Sequence, residues 1–223
     1  MEKPHYNVII ATPGNSLELF YVSSLTKTLT ELNKRNISYI WLGSYVPIVN
    51  LAREHTLDGG YLFDHSDEDI DFFTKGPIRD SVTYDKIFLI DSDIAWEPDQ
   101  FLKLYYSDLD IISGIYMDAL GRCTTDPQNM EDLAGRSIND IDEVIEANSF
   151  GFGFVCVKSG IFEKLKRPWF QFLYSEKLKD SDEDVRIMFG EDISWCIRVK
   201  ELGYKIYSDY GVKVQHIKKI VLG

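Results

Sequence analysis

Lys86–Ile87–Phe88–Leu89–Ile90–Asp91–Ser92–Asp93 is the stretch from which the rest of this 223-residue sequence can be read. Ile87 to Ile90 form a continuous apolar run, too short for an ordinary helix, which predicts a buried strand. Two carboxylates follow one residue apart, at the carboxyl end of that strand, where open α/β sheets hold their ligands. Asp91 and Asp93 repel each other unless a cation or a proton is shared between them. A hard divalent cation, taking oxygen ligands together with a substrate phosphate, is the natural partner. An aspartate after a strand can instead cap the next helix, but Glu97–Pro98–Asp99 marks that helix start without help.

Upstream, Asn7–Thr12 reads as a first strand, apolar enough for burial on both faces. Pro13–Gly14 breaks it. Leu17–Leu32 has helical spacing, with Asn15 or Ser16 as its N-cap. Ile37–Leu42 is a second strand. Pro47–Thr56 is a second helix, with Pro47 in the first turn, and Gly59–Gly60 stops it. Downstream, a helix runs from Glu97 to Tyr106 and a strand from Asp110 to Tyr116. Phe150–Val157 has strand character, and its internal Gly151 and Gly153 mark either a bulge or the close approach of a ligand. Gly160–Lys166 is a short helix. Gly190–Leu202 is a longer one, ended by Gly203. Lys205–Tyr207 and Val212–His216 give two short strands.

The alternation of strand and helix predicts an α/β fold, a mostly parallel central sheet flanked by helices. No linker or repeat divides it, so residues 1–223 read as one domain with a first half at 1–117 and a second at 118–223. Two stretches stand apart. The acidic run Asp64–Asp71 lacks the glycine and terminal glutamate of a calcium loop and reads as solvated chain. Asp118–Asn139 carries no surviving period, and an irregular stretch of that length beside a site predicts a lid.

The net charge of −12, from 24 basic and 36 acidic residues, argues against a nucleic-acid surface, which needs a basic face. It leaves room for a nucleotide, because one metal ion and one arginine reverse the local field. Cys123, Cys156 and Cys196 show no metal spacing and read as reduced thiols of a cytoplasmic protein. No apolar run reaches membrane-spanning length.

Four further residues draw notice. Glu191 and Asp192 open the Gly190–Leu202 helix, where the macrodipole favours acids and where a carboxylate aimed into a cleft can act as general base. His216 is a candidate third metal ligand beside Asp91 and Asp93. Arg53, on the Pro47–Thr56 helix, has the guanidinium fork suited to a diphosphate.

Taken in order, these signals resemble the GT-A glycosyltransferases, specifically small members related to glycosyltransferase family two. Val8–Pro13 resembles the opening strand and donor-base loop. Ala52–Arg53 resembles the Ala-Arg pair, with Glu54 where an Asn is usual. Phe88–Ile94 resembles the DxD strand and Ser113–Tyr116 the strand near the donor sugar. Gly151–Phe154 resembles the glycine-rich stretch, Pro168–Phe170 the segment walling the acceptor, and Gly190–Cys196 the Glu-Asp helix. His216 matches the terminal histidine.

The resemblance implies a Rossmann-like GT-A domain and a UDP- or GDP-linked sugar donor. It also implies a Mn2+ or Mg2+ ion on Asp91, Asp93 and His216. It places Ala11, Thr12, Pro13, Arg53, Asp91, Ser92, Asp93, Gly151, Gly153 and Trp169 around the donor. Asp192 becomes the base that deprotonates an acceptor hydroxyl, with inversion, and Glu191 is the alternative base. The acceptor is left open among glycan, lipid and protein. Two rivals share the acids: a non-catalytic nucleotide-sugar-binding module, and a haloacid-dehalogenase-type phosphatase with Asp91 as nucleophile. The phosphatase would want Thr or Val where Ala95 stands.

Overall fold

The computed structural model describes residues 2–59, 76–175 and 186–218. The acidic run Asp64–Asp71 lies outside the described residues. In chain order the elements begin β1 (His5–Pro13), α1 (Leu19–Lys34), β2 (Tyr39–Ser44), α2 (Val49–Leu57), β3 (Thr83–Ile90) and β4 (Ile94–Ala95). There follow α3 (Pro98–Tyr105), β5 (Ile111–Ile115), β6 (Thr125–Pro127), β7 (Val144–Phe150), β8 (Phe154–Lys158) and α4 (Ile161–Lys164). The last are β9 (Leu173–Tyr174), β10 (Met188–Phe189), α5 (Glu191–Glu201), β11 (Tyr207–Lys213) and β12 (Gln215–His216).

Among the described residues, eight strands form one sheet in the order β2-β1-β3-β8-β5-β11-β7-β6. β1 pairs in parallel with β2 and β3, and β11 in parallel with β5. Only β8 and β7 run against the rest, so the sheet is mostly parallel. Both faces are covered, which is why β1 and β3 are apolar at successive positions. Val8, Ile10, Phe88 and Ile90 pack with Tyr21 and Leu25 of α1 and Phe101 of α3. Ile9, Ala11, Ile87 and Leu89 pack with Leu57 of α2, Phe162 of α4 and Trp195 of α5. No helix among the described residues is long and apolar enough to cross a membrane.

Several boundaries differ from expectation. The N-cap of α1 is Glu18, not Asn15 or Ser16, and no side chain caps it. Pro47 precedes the cap of α2, which is Ile48. Phe150–Val157 is not one strand. It is the end of β7, a turn through Gly151–Gly153, and the start of β8. The tail does not give two equal short strands. β11 is long, lies inside the main sheet, and shifts register between Asp209 and Lys213. Residues 118–139 are not without structure either. They supply edge strand β6 and 3-10 turns at Met130–Leu133 and Ile138–Asp140. Asp118 ties the first bend by accepting the Leu120 and Arg122 amides at 2.8 and 2.9 Å.

Candidate active site

The chain leaves β1 toward β2 on one side and returns to β3 on the other. The carboxyl ends of β1 and β3 therefore flank a crevice, the usual ligand position in such sheets. A cleft of about 230 Å3 opens there, lined by Pro13, Asn15, Tyr45, Ala52, Asp91, Ser92 and Asp93 among others. A second, of about 320 Å3, shares Gly14 and Asn15 with it and is lined by Thr12, Leu17, Trp41 and Ser44. Trp41 is 39% exposed on edge strand β2, and its indole N–H donates to the Thr12 hydroxyl at 3.0 Å. Thr12 thus holds a flat aromatic face at the mouth of the crevice.

The two acids of β3 have different partners. Both oxygens of Asp91 accept from Arg53 Nη2, at 3.0 and 3.1 Å. The other nitrogen of that fork donates to Glu191 at the start of α5. Burial by itself would lower the guanidinium's pKa, but the carboxylates of Asp91, Glu191 and Asp192 outweigh it and hold Arg53 protonated beyond its ordinary range. Burial likewise pushes Asp91 upward, with Arg53 as the main opposing influence. Arg53 is only 4% exposed. Sequence reading set it on a diphosphate, yet its guanidinium is occupied as a strut between β3 and α5. Asp91, expected on a metal, has both oxygens on that strut.

Asp93 faces the other way. β12 pairs with β4, and the Ile217 amide donates to the Asp93 carbonyl at 2.8 Å. This sets His216 Nε2 at 3.2 Å and Lys218 Nζ at 2.7 Å from Asp93 Oδ2. His216 Nδ1 donates to the Met117 carbonyl at 2.9 Å, a contact of the kind that fixes the tautomer of ligating histidines. A carboxylate oxygen and an imidazole nitrogen are suitable donors for a divalent ion, and such an ion would have to displace the Lys218 ammonium from Asp93 Oδ2. Among the described residues no group of three or more His, Cys, Asp or Glu side chains completes a metal site.

At the start of α5 the two acids diverge, as the helical turn of about 100° per residue requires. Glu191 meets Arg53, whereas Asp192 lines a third cleft, of about 600 Å3, together with Tyr116, Asp118, Thr125, Asp126 and Ile193. The Ile193 amide donates to Asp192 Oδ1 at 2.8 Å. Helix-start amides alone would lower the Asp192 pKa. Burial raises it, with a push from Glu191, and outweighs the amide and Arg53.

Two sequence candidates, Ala11 and Trp169, sit in the core, and two, Gly151 and Gly153, lie under Tyr116. Ala11 faces the packed side of β1. Trp169 is 1% exposed, donates its N–H to the Phe162 carbonyl at 2.9 Å and stacks on Arg167. It is core, because Arg198 holds the carbonyls of Pro168 and Trp169 at 2.7 and 2.8 Å and pins the segment inward. Glu54 belongs to the same anchor, accepting the Phe170 amide at 2.7 Å. Gly151 and Gly153 are approached by Tyr116. A Cβ on Gly153 would stand 2.6 Å from the Tyr116 ring, and one on Gly151 would meet its hydroxyl. Gly153→Ala is expected to cost about 1 to 3 kcal/mol by overpacking. Thermal unfolding should show this as a fall in Tm of roughly 2 to 12 °C.

Lys218 and Trp41 went unnoticed in the sequence, and Tyr116 was named there only as the end of a strand. Only the position of Tyr116, at the end of a strand, was a usable signal.

No family model matches the chain, and comparison with curated proteins gives no match. Among solved structures it is similar to A197 from STIV, at 19% identity and a TM-score of 0.54, covering 97% of this chain and 86% of that one. It is also similar to the catalytic domain of Drosophila β1,4-galactosyltransferase 7 in complex with xylobiose. There the identity is 11%, the TM-score 0.48, and the cover 97% of this chain and 71% of that one. A further similarity is to GalNAc-T7 with UDP, GalNAc and Mn2+, at 10% identity and a TM-score of 0.49. It covers 98% of this chain and 44% of that one. The first is a likeness of fold.

Proposed function

We propose that this chain is a GT-A-type glycosyltransferase that moves a sugar from a nucleoside-diphosphate donor to an acceptor hydroxyl with inversion. The observation that carries the reading is the Arg53 strut. It ties Asp91, which lines the crevice with Asp93, to Glu191, the chain neighbour of Asp192 in the third cleft. A nucleotide lying over the ends of β1 and β2 would stack its base on Trp41. Its diphosphate would reach Asp93 and His216, which together with water would hold a Mn2+ or Mg2+ ion. That ion supplies charge neutralisation for the departing diphosphate. Asp192 takes the proton of the acceptor hydroxyl as its oxygen bonds to the anomeric carbon and the bond to the diphosphate breaks. One displacement inverts that carbon. The phosphatase alternative needs Asp91 free as a nucleophile, and both its oxygens are on Arg53.

Calorimetry with UDP and GDP, in Mn2+ and in chelator, tests the reading. One of the two should bind at least tenfold more tightly with the ion. Asp93→Ala and His216→Ala should each remove that difference. Equal affinity in metal and chelator for both nucleotides counts against the proposal.

A further inference from the structure

We propose that the acceptor is a neutral carbohydrate, its terminal pyranose seated in the 600 Å3 cleft between β6, the β7 end and α5. The inference rests on the transferase reading and adds the substrate class. The volume lies in the range of small-ligand sites, about 300 to 1,000 Å3. Its lining carries three carboxylates, Asp118, Asp126 and Asp192, against one cation, Arg122. Arg122 is already on Asp118, at 2.7 Å. The field left over is that of Asp126 and Asp192, so a phosphate or a uronate meets repulsion.

A neutral sugar meets the opposite. Its hydroxyls need acceptors around the rim, and its C–H faces need apolar surface. Carboxylates accept without donating and have room for several hydrogen bonds. Asp126 uses one site on the Asn148 amide, at 2.9 Å. Met130, Leu133 and Ile193 supply the apolar part of the lining. Tyr116 adds a donor. It is 8% exposed, and its hydroxyl accepts the Gly153 N–H at 3.0 Å, which leaves its own proton to give. Burial, reinforced by the Asp91 carboxylate, keeps that proton on the oxygen. A buried donor among acceptor-only carboxylates complements a polyol, which both donates and accepts.

The test is binding to the parent protein without nucleotide, by saturation-transfer NMR and calorimetry. The probes are methyl gluco-, galacto- and mannopyranoside, methyl glucuronide, a polyprenyl phosphate in micelles and a lysine-rich serine peptide. At least one neutral pyranoside should bind at millimolar concentration, and the uronate about tenfold more weakly or not at all. Asp126→Asn, on the exposed rim, should weaken the neutral sugar about tenfold, the scale of a lost charged hydrogen bond, and narrow the discrimination against the uronate. Tyr116→Phe should weaken it with an unchanged uronate ratio. Equal or better binding of the uronate, the polyprenyl phosphate or the peptide overturns the proposal, as does silence from every pyranoside. A parent that binds pyranosides but neither UDP nor GDP refutes the transferase reading and leaves the sugar site standing.

Discussion

Arg53→Met is expected to lower the unfolding free energy by about 3 to 5 kcal/mol at pH 7, the scale for removing one partner from a buried charge network. Methionine keeps an aliphatic stem of similar reach but gives up the guanidinium's place over the Phe152 ring, 5.6 Å from its centre, a contact worth about 0.5 to 2 kcal/mol. Also lost is the cation between Asp91 and Glu191, whose side chains are 27% and 12% exposed. The pH dependence gives the cause. Burial already raises Asp91, and without Arg53 it moves higher. A carboxyl whose folded pKa is raised contributes stability fully below its unfolded value of about 4, and loses it as pH rises through the folded value. The variant should therefore approach the parent near pH 4 and fall furthest behind at neutral pH. Urea unfolding at both pH values decides. An equal deficit at both would mean that only packing was lost. Arg53→Lys should recover part of the stability and little of any transfer, because one ammonium cannot span both carboxylates.

Asp192→Asn is expected to keep nucleotide and metal affinity while transfer falls by a factor on the order of 10² or more, the usual scale for a removed general base. Glu191→Gln should act differently, because Glu191 lies on Arg53. It should lower stability along with rate. The raised pKa of Asp192 adds a second signature. The base works only when ionised, so the acid limb of kcat/KM should sit above the ordinary carboxylate range of about 4. Activity is lost as pH falls through it. Asp192→Asn should abolish that limb from whatever rate remains. A parent-like rate in Asp192→Asn with a dead Glu191→Gln would move the base to Glu191.

How much of this was legible depended on whether the signal was local. The β3 run read correctly because burial on both faces writes four apolar residues in a row. β7 hid because its inward positions, Ile145, Ala147 and Phe150, alternate with Glu146, Asn148 and Ser149, residues that seldom favour strands. β11 was cut in two on paper because Asp209 and Gly211 fall at its register shift. Within the candidate site, motif position pointed to Asp93 and His216, which lie side by side, and to Asp192, which lines the third cleft. It could not tell Trp169 in the core from a tryptophan on a wall, since Arg198, 29 residues on, makes the difference. The partners of Arg53, 38 and 138 residues away, left no trace in spacing.

The place of β8 has a consequence for how the chain is made. Its residues, 154–158, lie between β3 and β5, bonded to both. Once the chain has been released through Met117, β3 and β5 are present but are not each other's neighbours, and they face one another with edges of unpaired N–H and C=O groups. Open edges of this kind recruit other chains. The nascent protein is most exposed to aggregation during the synthesis of residues 118–158, and the arrival of β8 closes the gap in one step. Its sequence, Phe-Val-Cys-Val-Lys, buries four successive side chains, which suits a strand that fills both polar edges while its side chains enter the apolar layers above and below.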